Sequence, residues 1–282
     1  MPPPNEALPD PTDAHVPAGP ERLQRTLARA GYGSRRGAEE LIRQGRVRVG
    51  RRMATLGDRV DPWRDHITVD GVPVATHPEL RYFAFNKPAG VTTTLRDRHA
   101  SRTVQEFLPP GPPVVPVGRL DRDSEGLLLL TNDGTLGHRL QHPRYGVEKE
   151  YLVEVSGESP RAVLRRLEDG ILLSDGPARA RRAAVVQRGG GRSALSIVML
   201  EGRKREVRRM FEAIGHPVTR LVRVRLGPIR LGRLAPGRVR SLTRTEVDAL
   251  YRLTGLDRAT PTRSRDAAAA ARKALSDDGM DL

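Results

Sequence analysis

The run Leu127-Leu128-Leu129-Leu130 constrains this chain more than any other feature. Four consecutive apolar residues closed by Asn132-Asp133-Gly134 are what a buried central strand presents, with apolar side chains on both sides of an extended backbone. Such a strand needs neighbours, and the flanking sequence supplies them. Tyr82 to Asn86 reads as a short strand entering a Pro88-Ala89-Gly90 turn, and Val114 to Val117 as another after a Pro-rich loop. Tyr151, Val153 and Val155 alternate. So do parts of Ala183 to Gln187 and of Leu195 to Met199, which read as a hairpin across Gly189-Gly190-Gly191. Val207, Met210, Phe211 and Ile214 recur at helical spacing before Gly215. Thr243 and Glu246 form a capping box for a last helix through Val247, Leu250 and Tyr251. Strands with interspersed helices predict an α+β domain over residues 78–256, its sheet mixed and mainly antiparallel.

A smaller unit precedes it, over residues 21–77. Leu23 and Leu27 mark a first short helix that Gly31 can end, and Ser34 can cap a second whose apolar face carries Ala38, Leu41 and Ile42. Val47 and Val49 alternate, as do Ile67 and Val69 before an Asp70-Gly71 turn. Arg35 and Arg36 fall in the first turn of the second helix, where exposed N–H groups already favour an anion, and Arg43, Arg46 and Arg48 follow. This helix–helix–strand module looks built for backbone phosphates. Residues 1–20, rich in proline, and 257–282, with an alanine run, read as disordered tails.

Charge points the same way. The net charge is +15, and from Arg179 to Arg244 eighteen Lys and Arg stand against Glu201, Glu206 and Glu212, an excess equal to that whole charge. A clustered excess of this kind is the electrostatic footprint of a nucleic-acid partner. The absence of cysteine excludes disulfides, zinc–thiolate sites, iron–sulfur clusters and thiol nucleophiles. With no apolar run of membrane length and no signal-peptide layout, the expectation is a cytoplasmic protein without a membrane partner, and for so charged a surface a monomer.

The chemistry lies in Gly118-Arg119-Leu120-Asp121-Arg122-Asp123-Ser124-Glu125-Gly126. Its acidic spacing mimics the opening of an EF-hand calcium loop, but the twelfth position is Asn132 and the flanks are strands. A carboxylate pair for acid–base hydrolysis fits the spacing too, yet the surrounding arginines hold all three carboxylates ionised and leave no general acid. An aspartate flanked by Arg119 and Arg122 suits a nucleophile or base, with a structural ion-pair loop as the alternative. His138 and His142 have the spacing of a helical metal pair without a third ligand, so no metal is expected.

Two resemblances add to this reading. The pattern Arg22-Leu23, Ala30-Gly31, Ser34-Arg35-Arg36, Leu41-Ile42, Gly45-Arg46-Val47 resembles the S4-type RNA-binding module first known from a small-subunit ribosomal protein. Gly118-Arg119-Leu120-Asp121 with Ser124 to Gly134 resembles the catalytic motif of the ribosomal RNA pseudouridine synthases of the RsuA/RluB/RluE/RluF family. Asn86-Lys87-Pro88-Ala89-Gly90 resembles their first motif and Glu201 to Phe211 their third. The resemblance implies that Asp121 acts on the ribose of a target uridine, by attacking the anomeric carbon or by taking the 2′ proton, and that no cofactor is required. It implies that Tyr151 stacks on the flipped base. It makes Arg208 the third member, and helical rotation lets Arg208 reach inward to pair with Asp121. Arg119, Arg203, Lys204, Arg205 and Arg209 become phosphate contacts, while Lys87, Pro88, Gly90 and Leu120 shape the pocket. The implied partner is ribosomal RNA, with RNA of the large ribosomal subunit or its assembly intermediate preferred over that of the small one. A non-catalytic ribosome-assembly factor using the same basic surface is the alternative.

Overall fold

A computed structural model describes residues 20–76, 79–95, 100–157, 161–189 and 191–256. The tails expected over residues 1–20 and 257–282 lie outside the described residues, Pro20 excepted. Helices α1 (Leu23–Arg29) and α2 (Arg35–Arg43) pack on each other. The Ser34 hydroxyl accepts the Gly37 N–H at 3.1 Å and caps α2. Leu23, Leu27, Ala38 and Ile42 then bury against a four-stranded sheet whose inner strands are β1 (Val47–Val49) and β2 (Ile67–Val69). Asp70 and Gly71 sit at φ of 50° and 81°, so both central residues of the hairpin after β2 are left-handed, as a two-residue type I′ connection demands.

The second unit is one large sheet covered on both faces. It is built from β3 (Tyr82–Lys87), β4 (Glu125–Thr131), β5 (Lys149–Ser156), the hairpin β6 (Arg182–Gly189) and β7 (Arg192–Met199), β8 (Val218–Leu226) and β9 (Val239–Ser241). The spatial order is β6-β7-β5-β8-β4-β3-β9, antiparallel throughout except where β8 meets β4. Val115–Pro116 pairs with β4 and Ile229–Arg230 with β8. Four helices complete it: α3 (Gly134–Gln141), α4 (Arg161–Asp169), α5 (Glu206–Ala213) and α6 (Arg244–Leu253).

β4 shows why its sequence is an unbroken apolar run. Leu128 and Leu130 enter a core with Phe83, Phe85, Tyr151, Ile197, Met210 and Phe211, while Leu127 and Leu129 enter the opposite core with Leu136, Leu140, Val247 and Leu250. All four leucines are buried, each worth about 2 kcal/mol of apolar transfer. The second core is tied by a polar knot. Tyr251 donates to Asp133 at 2.5 Å and lies 2.9 Å from the Tyr82 hydroxyl, while the same Asp133 accepts the Thr135 and Leu136 N–H groups at 3.0 Å each and so starts α3. Thr243 and Glu246 form the predicted capping box of α6.

Among the labelled elements, α3, α4, β8 and β9 go beyond the sequence expectations. α3 follows directly on the Asn132-Asp133-Gly134 signal, which ends a strand and at the same time caps a helix. In β8 the arginines at 220, 223 and 225 mask the alternation, and register shifts against β5 break its period.

Candidate active site

β8 and β4 pair in parallel at two positions only, Val222 with Glu125 and Arg223 with Gly126. At this seam a cleft of about 960 Å³ opens, lined by Thr93, Leu120, Asp121, Lys149, Tyr151, Lys204, Arg205 and Arg223 among others. Gly126 lets the strands approach. Its φ is +100°, and a Cβ there falls 2.3 Å from the Arg223 carbonyl oxygen and 2.8 Å from its backbone nitrogen. No side chain fits.

The Asp121 turn enters the cleft just ahead of β4 and is braced from both sides. The Thr93 hydroxyl donates to the Leu120 carbonyl at 2.7 Å and accepts the Leu120 N–H at 3.2 Å. Behind the turn, the Gly90 N–H donates to the Arg122 carbonyl at 2.7 Å. Lys87 is fully buried and its Nζ donates to the carbonyls of Val91 at 2.7 Å, Pro88 at 3.0 Å and Arg122 at 3.4 Å. Burial pushes this lysine down to about 8, against the opposing charges of Asp123, Asp121 and Glu125. Lys87 and Gly90 therefore brace the turn through its backbone, and neither they nor Pro88 are among the residues that line the cleft, whereas Leu120 is.

The pairing of Arg208 with Asp121 is not formed. Arg208 Nε lies 3.3 Å from the Asp123 carboxylate, and its Nη2 and Nη1 donate to the carbonyls of Asp123 at 3.0 Å and Val218 at 3.2 Å. The turn closed by the Ser124 N–H on the Asp121 carbonyl, at 3.1 Å, offers Asp123 to α5 and Asp121 to the cleft. Arg205 adds a two-pronged contact to Asp123, 3.0 Å on each prong, from a left-handed backbone at φ 52°. Partial burial pushes the Asp123 carboxyl up, but the hydrogen bonds from Arg205 and the charges of Arg208 and Arg205 prevail and hold it below the usual range. Glu125 is likewise held low, first by its hydrogen bonds from Arg220 at 2.9 and 3.1 Å. Among the described residues no cation stands within ion-pair distance of Asp121.

The other arginines expected at phosphates divide sharply. Arg203 is spent inside the protein, on Glu206, Asp175 and the Pro177 carbonyl at 3.0, 3.0 and 2.7 Å. Arg209 forks onto Asp175 at 2.9 Å twice. Arg46 forks onto Asp70, Arg43 pairs with Glu40, and Arg48 donates to the Arg51 carbonyl. Arg119 and Lys204 are exposed on the cleft, and Arg35 and Arg36 are exposed at the start of α2. Tyr151 is buried in the cleft wall. The cleft also holds two cations to which the sequence assigns no role, Lys149 and Arg223. The signal for Lys149 is its position two residues before Tyr151 on one strand, which puts both on one face. For Arg223 the arginine-masked alternation of β8 gave none. The His138 and His142 rings lie 5.6 Å apart, and no cluster of three metal-ligating side chains occurs among the described residues. No helix among them is long and apolar enough to cross a membrane.

The family model for RNA pseudouridylate synthase matches residues 81–213, and that for the S4 domain matches residues 21–62. The chain belongs to the RNA pseudouridine synthase family, as an enzyme with an S4 domain at its N-terminal end. An RNA pseudouridine synthase of Mycobacterium leprae is 45% identical over 244 residues, 85% of this chain and 95% of that one. The ribosomal large subunit pseudouridine synthase B of Bacillus subtilis is 42% identical over 238 residues, covering 83% and 96%. Among solved structures, a crystal structure of a pseudouridylate synthase superposes with a TM-score of 0.58 at 29% identity, over 81% of this chain and 99% of the other.

Proposed function

We propose that this chain converts a uridine of large-subunit ribosomal RNA to pseudouridine, with Asp121 as the residue that acts on the ribose. The observation that carries the reading is the isolation of Asp121. Of the three carboxylates from Asp121 to Glu125, Asp123 is gripped by Arg205 and Arg208 and Glu125 by Arg220. Asp121 alone of the three faces the cleft. Large-subunit RNA as the substrate rests on relatives of 42–44% identity that bear the name ribosomal large subunit pseudouridine synthase B.

A uridine stacked in an RNA helix cannot reach this recess, so the nucleotide flips out and Tyr151 receives the base on its ring. Arg35 and Arg36 of the S4 unit, together with Arg119 and Lys204 at the cleft, hold flanking phosphates. Asp121 then attacks C1′ or takes the 2′ proton. The C1′–N1 bond breaks, the uracil turns in the pocket, and C1′ joins C5. The C5 proton is lost and N1 gains one, so nothing is consumed and no cofactor is called for. Arg208 contributes by fixing the turn through Asp123. The junction between the two units falls near residue 77, and the chain acts as a monomer.

The test is Asp121→Asn. Purified variant and parent are incubated with ribosomal RNA and pseudouridine is mapped by chemical probing. Conversion falls by at least about 10³-fold while RNA affinity stays within threefold. Conversion by the variant at the parental rate removes Asp121 from the reaction, and parental RNA that gains no pseudouridine leaves only the assembly-factor alternative.

A further inference from the structure

Whichever role Asp121 takes, breaking C1′–N1 leaves the electron pair on the uracil. The ring then carries a negative charge, spread over N1 and its carbonyl oxygens, in a pocket that already holds a carboxylate. A site that lets this ring leave, turn and rejoin needs positive charge that no acid has already claimed. Several cations at or beside the cleft are already claimed, with Arg203, Arg205 and Arg208 bound to carboxylates, while Arg119 and Lys204 are exposed where phosphates can reach them.

Arg223 is different. It is 3% exposed and belongs to no ion pair among the described residues. Its Nε donates to the Leu127 carbonyl at 2.7 Å, while Nη2 is buried without a hydrogen-bond partner among them. An unpaired guanidinium in such burial is unfavourable unless an anion completes it. Its cross-strand neighbour is Tyr151. Lys149, on the same face as Tyr151, also lines the cleft, and among the described residues its Nζ donates to the carbonyls of Leu200 at 3.1 Å and Val147 at 3.3 Å and to no carboxylate. Burial and then the nearby Arg223 charge push Lys149 down to about 8, so two cations are forced together here. Arg223 is thus buried in the cleft wall beside Tyr151, whereas Arg119 and Lys204 stand exposed at the cleft where phosphates are met.

We propose that Arg223 and Lys149 form a cationic floor beneath the flipped base, and that this floor stabilises the uracil anion between cleavage of C1′–N1 and formation of C1′–C5. The inference rests on the pseudouridine synthase reading above. The floor acts across a few ångströms of poorly screened interior, where a single charge counts for more than it does in water.

The experiment compares Arg223→Gln and Arg223→Lys with the parent under single-turnover conditions, on one ribosomal RNA fragment carrying uridine or 5-fluorouridine at the target. Cleavage of the N-glycosidic bond is read by nuclease digestion and mass spectrometry. Fluorine withdraws electrons and stabilises the ring anion by itself, so the floor matters less. Arg223→Gln is expected to slow cleavage roughly 100-fold on uridine and at least tenfold less than that on 5-fluorouridine, with RNA affinity within threefold. Arg223→Lys, which keeps the charge, falls between Arg223→Gln and the parent. A uridine rate within threefold of the parent for Arg223→Gln overturns the proposal. So does an equal deficit on both RNAs, which marks a merely structural residue. Should Arg223→Gln fail to fold by circular dichroism, Lys149→Met makes the same two-substrate comparison. A parent protein inert on both RNAs sinks the underlying activity instead.

Discussion

In the S4 unit, Arg35 and Arg36 project from the first turn of α2 with solvent around them, beside N–H groups that draw anions. Around the cleft, Arg203, Arg205, Arg208, Arg209, Arg220 and Arg225 are each committed to one or more carboxylates. One residue type thus serves both as a waiting phosphate contact and as fixed scaffolding. The difference lies in who supplies the acid. The eighteen basic residues from Arg179 to Arg244 meet three acids within their own segment, but Asp123, Glu125, Glu148, Glu150, Glu154 and Asp175 arrive from earlier in the chain. A charge excess counted along the sequence therefore overstates the surface left for RNA. With Arg240 on Glu246, at least seven of the eighteen are engaged.

The sharpest break of the cleft side comes at its seam. Gly126→Ala puts a Cβ 2.3 Å from the Arg223 carbonyl at a backbone angle that side chains avoid. Urea unfolding should show a loss of about 3 kcal/mol or more, the cost of a left-handed alanine plus overpacking. A loss under about 1 kcal/mol means that the strands can part there.

Next comes the buried cation behind the turn. Lys87 is held at about 8 in the folded protein, while in the unfolded chain it keeps its proton to about 10.5. Between those values the unfolded state binds more protons, so stability rises with pH across that window, by on the order of 3 kcal/mol from this residue. Lys149 contributes in the same window, so the comparison is with Lys87→Met, whose unfolding free energy should rise less between pH 8 and pH 10. Parallel pH profiles for variant and parent exclude a charged, desolvated Lys87.

Asp123→Ala sets the two uses of arginine against each other. It releases Arg205 from the turn and leaves Arg208 only its bonds to the backbone carbonyls of residues 123 and 218, so single-turnover conversion should fall roughly 100-fold as Asp121 loses part of its bracing. RNA affinity should rise, with a salt dependence steeper by about one unit for the freed Arg205. Weaker binding in this variant contradicts the claim that these arginines are spent.

These contrasts follow what a sequence can and cannot express. Leu127 to Leu130, Ser34, the Asp70-Gly71 turn and the Thr243–Glu246 box each act on neighbours within a few residues, so their structural meaning is written locally. That Asp121 lies in a loop at a strand end was also legible, from the strand signals on either side of it. Arg208 was legible as an inward-facing side chain, but the choice between Asp121 and Asp123 depends on which side of a four-residue turn meets α5, and only the packed sheet decides that. Arg223 and Lys149 were hidden for a related reason. A buried, unpaired cation differs from an exposed one only in surroundings assembled from distant strands.

The smallest expected effects lie inside the S4 unit, where both kinds of arginine occur side by side. Arg35 and Arg36 are exposed and form no ion pair among the described residues, whereas Arg46 already makes hydrogen bonds of 3.0 and 2.5 Å to Asp70. Arg35→Gln with Arg36→Gln should weaken binding of structured RNA about tenfold and flatten the salt dependence by up to about two units, leaving the single-turnover rate at saturating RNA unchanged. Arg46→Gln should change affinity less than threefold, because a guanidinium that must first leave its carboxylate gains little from a phosphate. Equal losses in the two variants, measured by filter binding across a salt series, mean that exposure alone, and not freedom from a carboxylate, selects the arginines that touch RNA.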